Sequence, residues 1–365
     1  MKKLILASTA LTTIAGGALA GGLERTPQSM AILFEEGNYA ELSFGYVSPD
    51  VSGTFGPGGP DSGDIFDSYI NLGFAYKADL NDTLSYAIIF DQPYGADTSY
   101  PGTFGVDPYP FAGSTASVKS NALSGVLQYN MDNGASVYGG IRLQTLSAEA
   151  NLPVIGFALG GYDITSDTNL ALGYLLGAAY ERPDIALRVA LTYHSETTHD
   201  LELTETLGAT TVSTQDVILP QALNLEFQSG IAENTLLFGS IRWVEWSETE
   251  IDPPVYDAAT VTAPPLVFFE DDRITYTIGL GRRLNETWSV LGSVSYEENL
   301  GSVTGNLGPT DGFTSFGVGA VYTKDNMKIT GGIRYADVGD ATSFSNAIFE
   351  DNDALAAGLR VGWSF

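Results

Sequence analysis

The sequence predicts an all-β protein, a transmembrane antiparallel β-barrel of about fourteen strands with a short N-terminal hatch segment. Three observations predict it. Period-two alternation recurs from Tyr39 to Phe365, the two faces of each strand differ in kind, and tight turns alternate with long connections.

The last strand displays the alternation best. Leu355, Ala357, Leu359, Val361, Trp363 and Phe365 fall on one face, and Ala356, Gly358, Arg360, Gly362 and Ser364 on the other. Ile70, Leu72, Phe74 and Tyr76 stand against Asn71, Gly73, Ala75 and Lys77 in the same way, as do Ile274, Tyr276, Ile278 and Leu280 against Thr275, Thr277, Gly279 and Gly281. Large apolar residues on one face and small or polar ones on the other invert a soluble core. They suit lipid outside and a wet or packed lumen inside.

In chain order, Lys2 and Lys3, the apolar run 4–15 and the small residues Ala18, Leu19 and Ala20 read as an export signal over residues 1–20. The apolar run is shorter than the ~20 residues a spanning helix needs. Residues 21–37 follow, with Met30, Ala31, Ile32, Leu33 and Phe34 predicted as a short helix that plugs the lumen; the alternative is a disordered periplasmic tail. Barrel strands are predicted to begin near Tyr39, Ser68, Thr83, Asn121, Ala135, Asn169, Ile185, Gln221, Thr235, Arg273, Thr287, Ser315, Met327 and Ala354, filling residues 38–365. Tight turns at 80–82, 131–134, 181–184, 284–286 and 324–326 contrast with long connections elsewhere, the pattern of short periplasmic turns and long outer loops. Tyr76, Tyr129, Tyr180, Trp243, Trp246, Trp288, Tyr322, Tyr335 and Trp363 sit near strand ends, where interfacial girdles belong.

The net charge of −28 argues against nucleic acid, because few cations are available to neutralise phosphates. With no cysteine and two histidines, a disulfide framework and a Cys/His zinc site are excluded. Acidic runs such as Glu250–Asp252 and Glu270–Asp272 read as solvated loop charge, with bridging of divalent cations to lipopolysaccharide as the alternative. An enzyme is not expected: His194 and Ser195, the one candidate nucleophile and base pair, are adjacent on a strand and point to opposite faces. No metal or cofactor is expected.

Several residues are candidates for contact with a ligand. Alternation places Lys77, Arg142, Arg188, Arg242, Arg334 and Arg360 in the lumen, where arginine either grips a ligand carboxylate or pairs with lumenal acids. Leu175 and Phe238 share that inward face, and Leu33 and Phe34 of the hatch join Arg142, Arg188 and Arg242 as the ligand-binding set. The connection 92–118 carries Tyr94, Tyr100, Phe104, Tyr109 and Phe111, and a second apolar loop carries Leu152, Val154, Ile155, Phe157 and Leu159. Tyr100, Phe104, Phe111 and Phe157 are expected to capture ligand, or to pack together as a lid.

One set of stretches is more specific than a generic barrel. Leu219-Pro220-Gln221-Ala222-Leu223 leads to Leu237-Phe238-Gly239-Ser240-Ile241-Arg242-Trp243, then Asp272-Arg273-Ile274, Thr287-Trp288-Ser289-Val290 and Gly331-Gly332-Ile333-Arg334-Tyr335. In this order they resemble the bacterial long-chain fatty acid transporter (FadL) family, and Asp91-Gln92-Pro93-Tyr94-Gly95 is similar to a proline-aromatic-glycine stretch of its members. The resemblance implies a fourteen-stranded barrel with an N-terminal hatch, passive uptake of a hydrophobic ligand such as a fatty acid, and sideways exit at an interrupted strand, for which Pro93 and Gly95 are the candidates. The hatch is about half the family's length, and Glu35-Glu36-Gly37-Asn38 stands where an Asn-Pro-Ala signature belongs. A general porin for small polar solutes is the alternative, and a barrel without transport a third reading. A monomer surrounded by outer-membrane lipid and lipopolysaccharide is expected.

Overall fold

The computed structural model describes residues 22–153, 155, 160–260 and 263–365. The export-signal expectation for residues 1–20 lies outside them. Fourteen antiparallel strands close into a barrel. They are β1 (Tyr39–Asp50), β2 (Tyr69–Asp79), β3 (Leu84–Asp91), β4 (Thr115–Asn130), β5 (Ala135–Leu152), β6 (Asn169–Arg182) and β7 (Leu187–His194). The second half comprises β8 (Ala222–Ala232), β9 (Thr235–Val244), β10 (Arg273–Arg283), β11 (Trp288–Glu297), β12 (Phe313–Lys324), β13 (Met327–Val338) and β14 (Asn352–Ser364). β14 pairs with β1, from Tyr39 opposite Ser364 to Asp50 opposite Asp353, so the sheet has no open edge at its seam. Within lipid, closure of this kind lets strands pair their backbone donors and acceptors with no edge exposed.

The alternation holds strand by strand. Leu355 and Leu359 face outward while Arg360 beside them is buried, and Ile70 and Leu72 are exposed while Asn71 is buried. Inward glycines have a specific packing role. Tyr138 of β5 lies over Gly177 of β6, and Phe238 of β9 over Gly279 of β10, each pair directly opposite in register. A Cβ at either glycine would stand about 2 Å from the neighbouring ring, so these positions admit no larger residue without repacking. At the short-turn rim, Trp288 stacks edge-on to Tyr322 and Tyr76 lies against Phe365, a partial aromatic girdle.

Short turns and long connections alternate as predicted, with one further tight turn at Glu233 and Asn234, where Asn234 takes the positive φ of 57° that such a turn requires. Three expectations need correction. The connection 92–118 is not all loop: the third strand resumes at Gly95–Ser99 and pairs with Thr115–Lys119, so β4 begins six residues earlier than Asn121. Outside the bilayer a strand has no lipid to face, so Ala96-Asp97-Thr98 carries no apolar alternation to read. Strands Tyr162–Ser166, Thr197–Leu207 and Ala209–Leu219 also extend the wall outward. Trp246 is no girdle residue; it is buried, packed against Tyr94 at 5.4 Å and Phe269 at 5.0 Å above the lumen.

Glu205 ties these outer pieces together. Its fully buried carboxylate accepts from Tyr162 Oη, Ser213 Oγ and the backbone N–H of Val255, which opens the helix Pro254–Ala259. Residues 22–37 run inside the barrel, from the outer cluster at Leu23 to the short-turn end, where Lys77 Nζ donates to the carbonyls of Glu35 and Gly37. The predicted short helix there is a 3-10 turn, Ala31–Phe34.

Candidate functional site

The third strand is broken by sequence. Pro93 has no N–H to give to a ladder, and the run Gln92-Pro93-Tyr94 separates β3 from its continuation. The ladder between β2 and β3 stops at Phe74 opposite Phe90. The two sides meet again farther out, where Phe66 bridges Thr98 and the Asp67 N–H donates to the Asp97 carbonyl. Between these limits lie roughly 25 Å of wall at about 3.3 Å per residue.

Side chains and the N-terminal segment fill this interval. Gln92 spans it as a substitute for backbone pairing, accepting from Leu72 N–H and donating to Asn121 Oδ1. On the lumenal side the N-terminal segment adds itself to the broken strand: Pro93 O accepts from Arg25 N at 2.8 Å, Gly95 N donates to Leu23 O, and Glu24 bridges Tyr94. Pro93 and Gly95 therefore lie where the strand ladder is interrupted.

Two pockets flank it. The outer one is apolar, lined by Leu23, Phe66, Val118, Leu266, Phe268 and Leu307, with Asp97 and Thr98 at its edge. The inner one lies in the lumen, where Met30, Ile32 and Ile89 meet Asp91, Arg142 and His194. Arg142 is 3% exposed, yet its Nε and Nη2 have no hydrogen-bond partner among the described residues. A guanidinium held that way has donors that can serve an anionic group, in a pocket it shares with Asp91.

The other predicted ligand residues are lumenal too, but differently employed. Leu33, Leu175 and Tyr138 belong to one packed cluster beneath the inner pocket, with Phe34 against it. Arg188 covers the Phe34 ring at 4.6 Å. Arg242 is committed to Glu24 and to Asn224 Oδ1, and Phe238 fills the notch at Gly279. Only Arg142 of the seven lines either pocket.

Of the loop aromatics, Tyr100 is buried in a cluster with Tyr109, Phe111 and Phe55, its Oη donating to Asn306 O. Burial raises the phenol of Tyr100 well above its usual value, and that of Tyr109 to about 12. Tyr100 and Phe111 thus pack together with Tyr109 and Phe55. Phe104 remains exposed, and Phe157 lies outside the described residues. Arg25 and Asp97 carry no signal in the sequence pattern, although Arg25 is the sole cation between Lys3 and Lys77.

A family model, outer membrane protein transport protein (OMPP1/FadL/TodX), matches residues 28–343. No curated protein sequence matches the chain. Among solved structures the chain is similar to a Pseudomonas aeruginosa FadL homologue, with a TM-score of 0.72, 15% identity and 96% of each chain covered. It is also similar to the Ralstonia pickettii toluene transporter TbuX, with a TM-score of 0.66, 15% identity and 98% of each chain covered. The Pseudomonas putida toluene transporter TodX gives a TM-score of 0.66 and 15% identity, over 96% of this chain and 98% of that one. At such identity the likeness is one of fold.

Proposed function

The chain belongs to the outer membrane transport protein family of OMPP1, FadL and TodX, and from that premise we propose that it moves hydrophobic molecules passively across the outer membrane, with long-chain fatty acids as the preferred cargo. The observation that carries the choice of cargo is Arg142, a buried guanidinium with free donors beside the apolar Met30, Ile32 and Ile89. A fatty acid matches both halves of that pocket, whereas toluene, named for the relatives TbuX and TodX, would leave the donors unmet.

In this reading residues 1–20 are an export signal and residues 21–37 a hatch that prevents open diffusion of polar solutes. The cargo enters at the outer apolar pocket, passes to the lumenal pocket and leaves sideways at Pro93 and Gly95 into the outer leaflet. Sideways release is favoured because returning an alkyl chain to water costs about 0.8 kcal/mol per methylene.

The test is flux into proteoliposomes of a fluorescent long-chain fatty acid and of a small sugar. Fatty-acid transfer without sugar swelling is expected, together with at least a roughly tenfold loss of affinity in Arg142→Leu, the factor of one charge-assisted contact of about 1.5 kcal/mol or more. Sugar swelling without fatty-acid transfer would replace this reading with a porin.

A further inference from the structure

We propose that Arg25 is the gate between the two pockets, that Asp97 holds it shut, and that the pair selects anionic amphiphiles over neutral ones; this rests on the transport reading above. Among the described residues Arg25 alone lines both pockets. A molecule moving from one to the other along this wall meets Arg25.

Its anchors come from both sides of the interrupted wall. On the β2 side the guanidinium carbon sits 4.3 Å from the centroid of the Tyr69 ring, and Asn71 Nδ2 donates to the Arg25 carbonyl at 3.1 Å. On the third-strand side Nη2 lies 2.6 Å from Asp97 Oδ2, and the backbone N–H donates to Pro93 O. A single side chain thus spans the interval that the β-ladder leaves open.

Gly95 makes room for it. A Cβ at that position would stand 2.7 Å from Arg25 Nε and 2.8 Å from its Cζ, with the Val118 carbonyl 3.0 Å away on the other side. Any side chain at 95 must push the guanidinium off its seat. Asp97 is itself held in place, accepting from Ser117 Oγ at 2.7 Å.

Selection follows from what can replace Asp97. The Arg25 side chain is 9% exposed, and a charge so placed does not leave its carboxylate without another acceptor. A carboxylate on the incoming molecule is the same acceptor chemistry, so the guanidinium can exchange one for the other, and the ligand's head group next meets Arg142. A neutral hydrophobe offers no exchange and must wait for the pair to break unaided.

The experiment measures transfer of a fluorescent long-chain fatty acid and of the matching neutral fatty alcohol into vesicles with a lipopolysaccharide outer leaflet. Variants are first checked for barrel closure by their resistance to unfolding in cold detergent. The wild-type barrel is expected to favour the acid. Asp97→Asn and Arg25→Gln are each expected to speed alcohol transfer about tenfold, the factor of one charge-assisted hydrogen bond. Gly95→Ala is expected to do the same, and the exchange of Arg25→Asp with Asp97→Arg to restore the slow rate. Closed variants that move the alcohol no faster than the wild type, while the wild type moves the acid, overturn the gate alone. Transfer of neither probe by any closed form overturns the transport reading as well.

Discussion

Glu24 reaches across the lumen to Arg242, with Oε1 2.5 Å from Nε and both side chains more than nine-tenths buried. The pair fastens the N-terminal segment to β9, and Asn224 supports it from both directions, accepting from Arg242 Nη1 and donating to the Pro27 carbonyl. Removing one partner of a buried pair strands the other charge and costs about 3 to 5 kcal/mol. Arg242→Met is therefore expected to loosen residues 22–30 and not the barrel wall. Hydrogen exchange would show it as faster exchange confined to that segment; uniform destabilisation of the strands would contradict it.

Phe238 and Gly279 make a second, independent lock. Gly279→Ala places a methyl 2.1 Å from Phe238 Cζ, a clash between two opposite residues of one ladder. Overpacking of this kind costs about 1 to 3 kcal/mol. Thermal unfolding of Gly279→Ala should fall accordingly, and adding Phe238→Leu should recover a large part of the loss. If the double variant is the sum of the two singles, the ring does not depend on the notch.

How much of the fold and the site is legible in the sequence depends on whether lipid is the neighbour. Leu355, Leu359, Ile70 and Leu72 announce their face because the bilayer demands apolar groups there, and the strand count follows from them. Arg142 can be placed in the lumen by the same arithmetic. Outside the bilayer the rule lapses: Ala96-Asp97-Thr98 reads as loop though it is strand, and Trp246 reads as girdle though it packs under Tyr94 and Phe269. Arg25 is hidden differently. Its position between Tyr69 and Asp97 is fixed by contacts 44 and 72 residues away along the chain, which no local pattern encodes.

His199 gives the outer hairpin a dependence on acid. It is fully buried, with Nε2 3.1 Å from Thr197 Oγ1, and burial lowers its pKa from 6.5 to about 4. Because the folded value is depressed, the stabilisation is complete above pH 6.5 and is lost as pH falls through 4, by something on the order of 2 kcal/mol. Backbone exchange of residues 197–219, corrected for its intrinsic rate, should lose protection over that window. His199→Gln should remove the dependence; an unchanged pH profile in the variant would assign it to another group.

Asp252 acts with the opposite sign on the neighbouring loop. Burial first, then the charges of Asp257 and Glu250, raise its carboxyl from 3.8 to about 6. A raised carboxyl stabilises the folded loop below pH 3.8 and ceases to do so as pH rises through 6. Residues 250–259, anchored by the buried Ile251 bridging Val267, should therefore be better protected at about pH 4.5 than at about pH 7.5, while the hairpin of His199 loosens. Asp252→Asn should protect this loop at neutral pH to the level the wild type reaches in acid, because the amide carries no charge to be buried or repelled. A variant less protected than the wild type at neutral pH would mean that the ionised carboxylate holds the loop through contacts stronger than the repulsion, and the predicted pH dependence would then reverse.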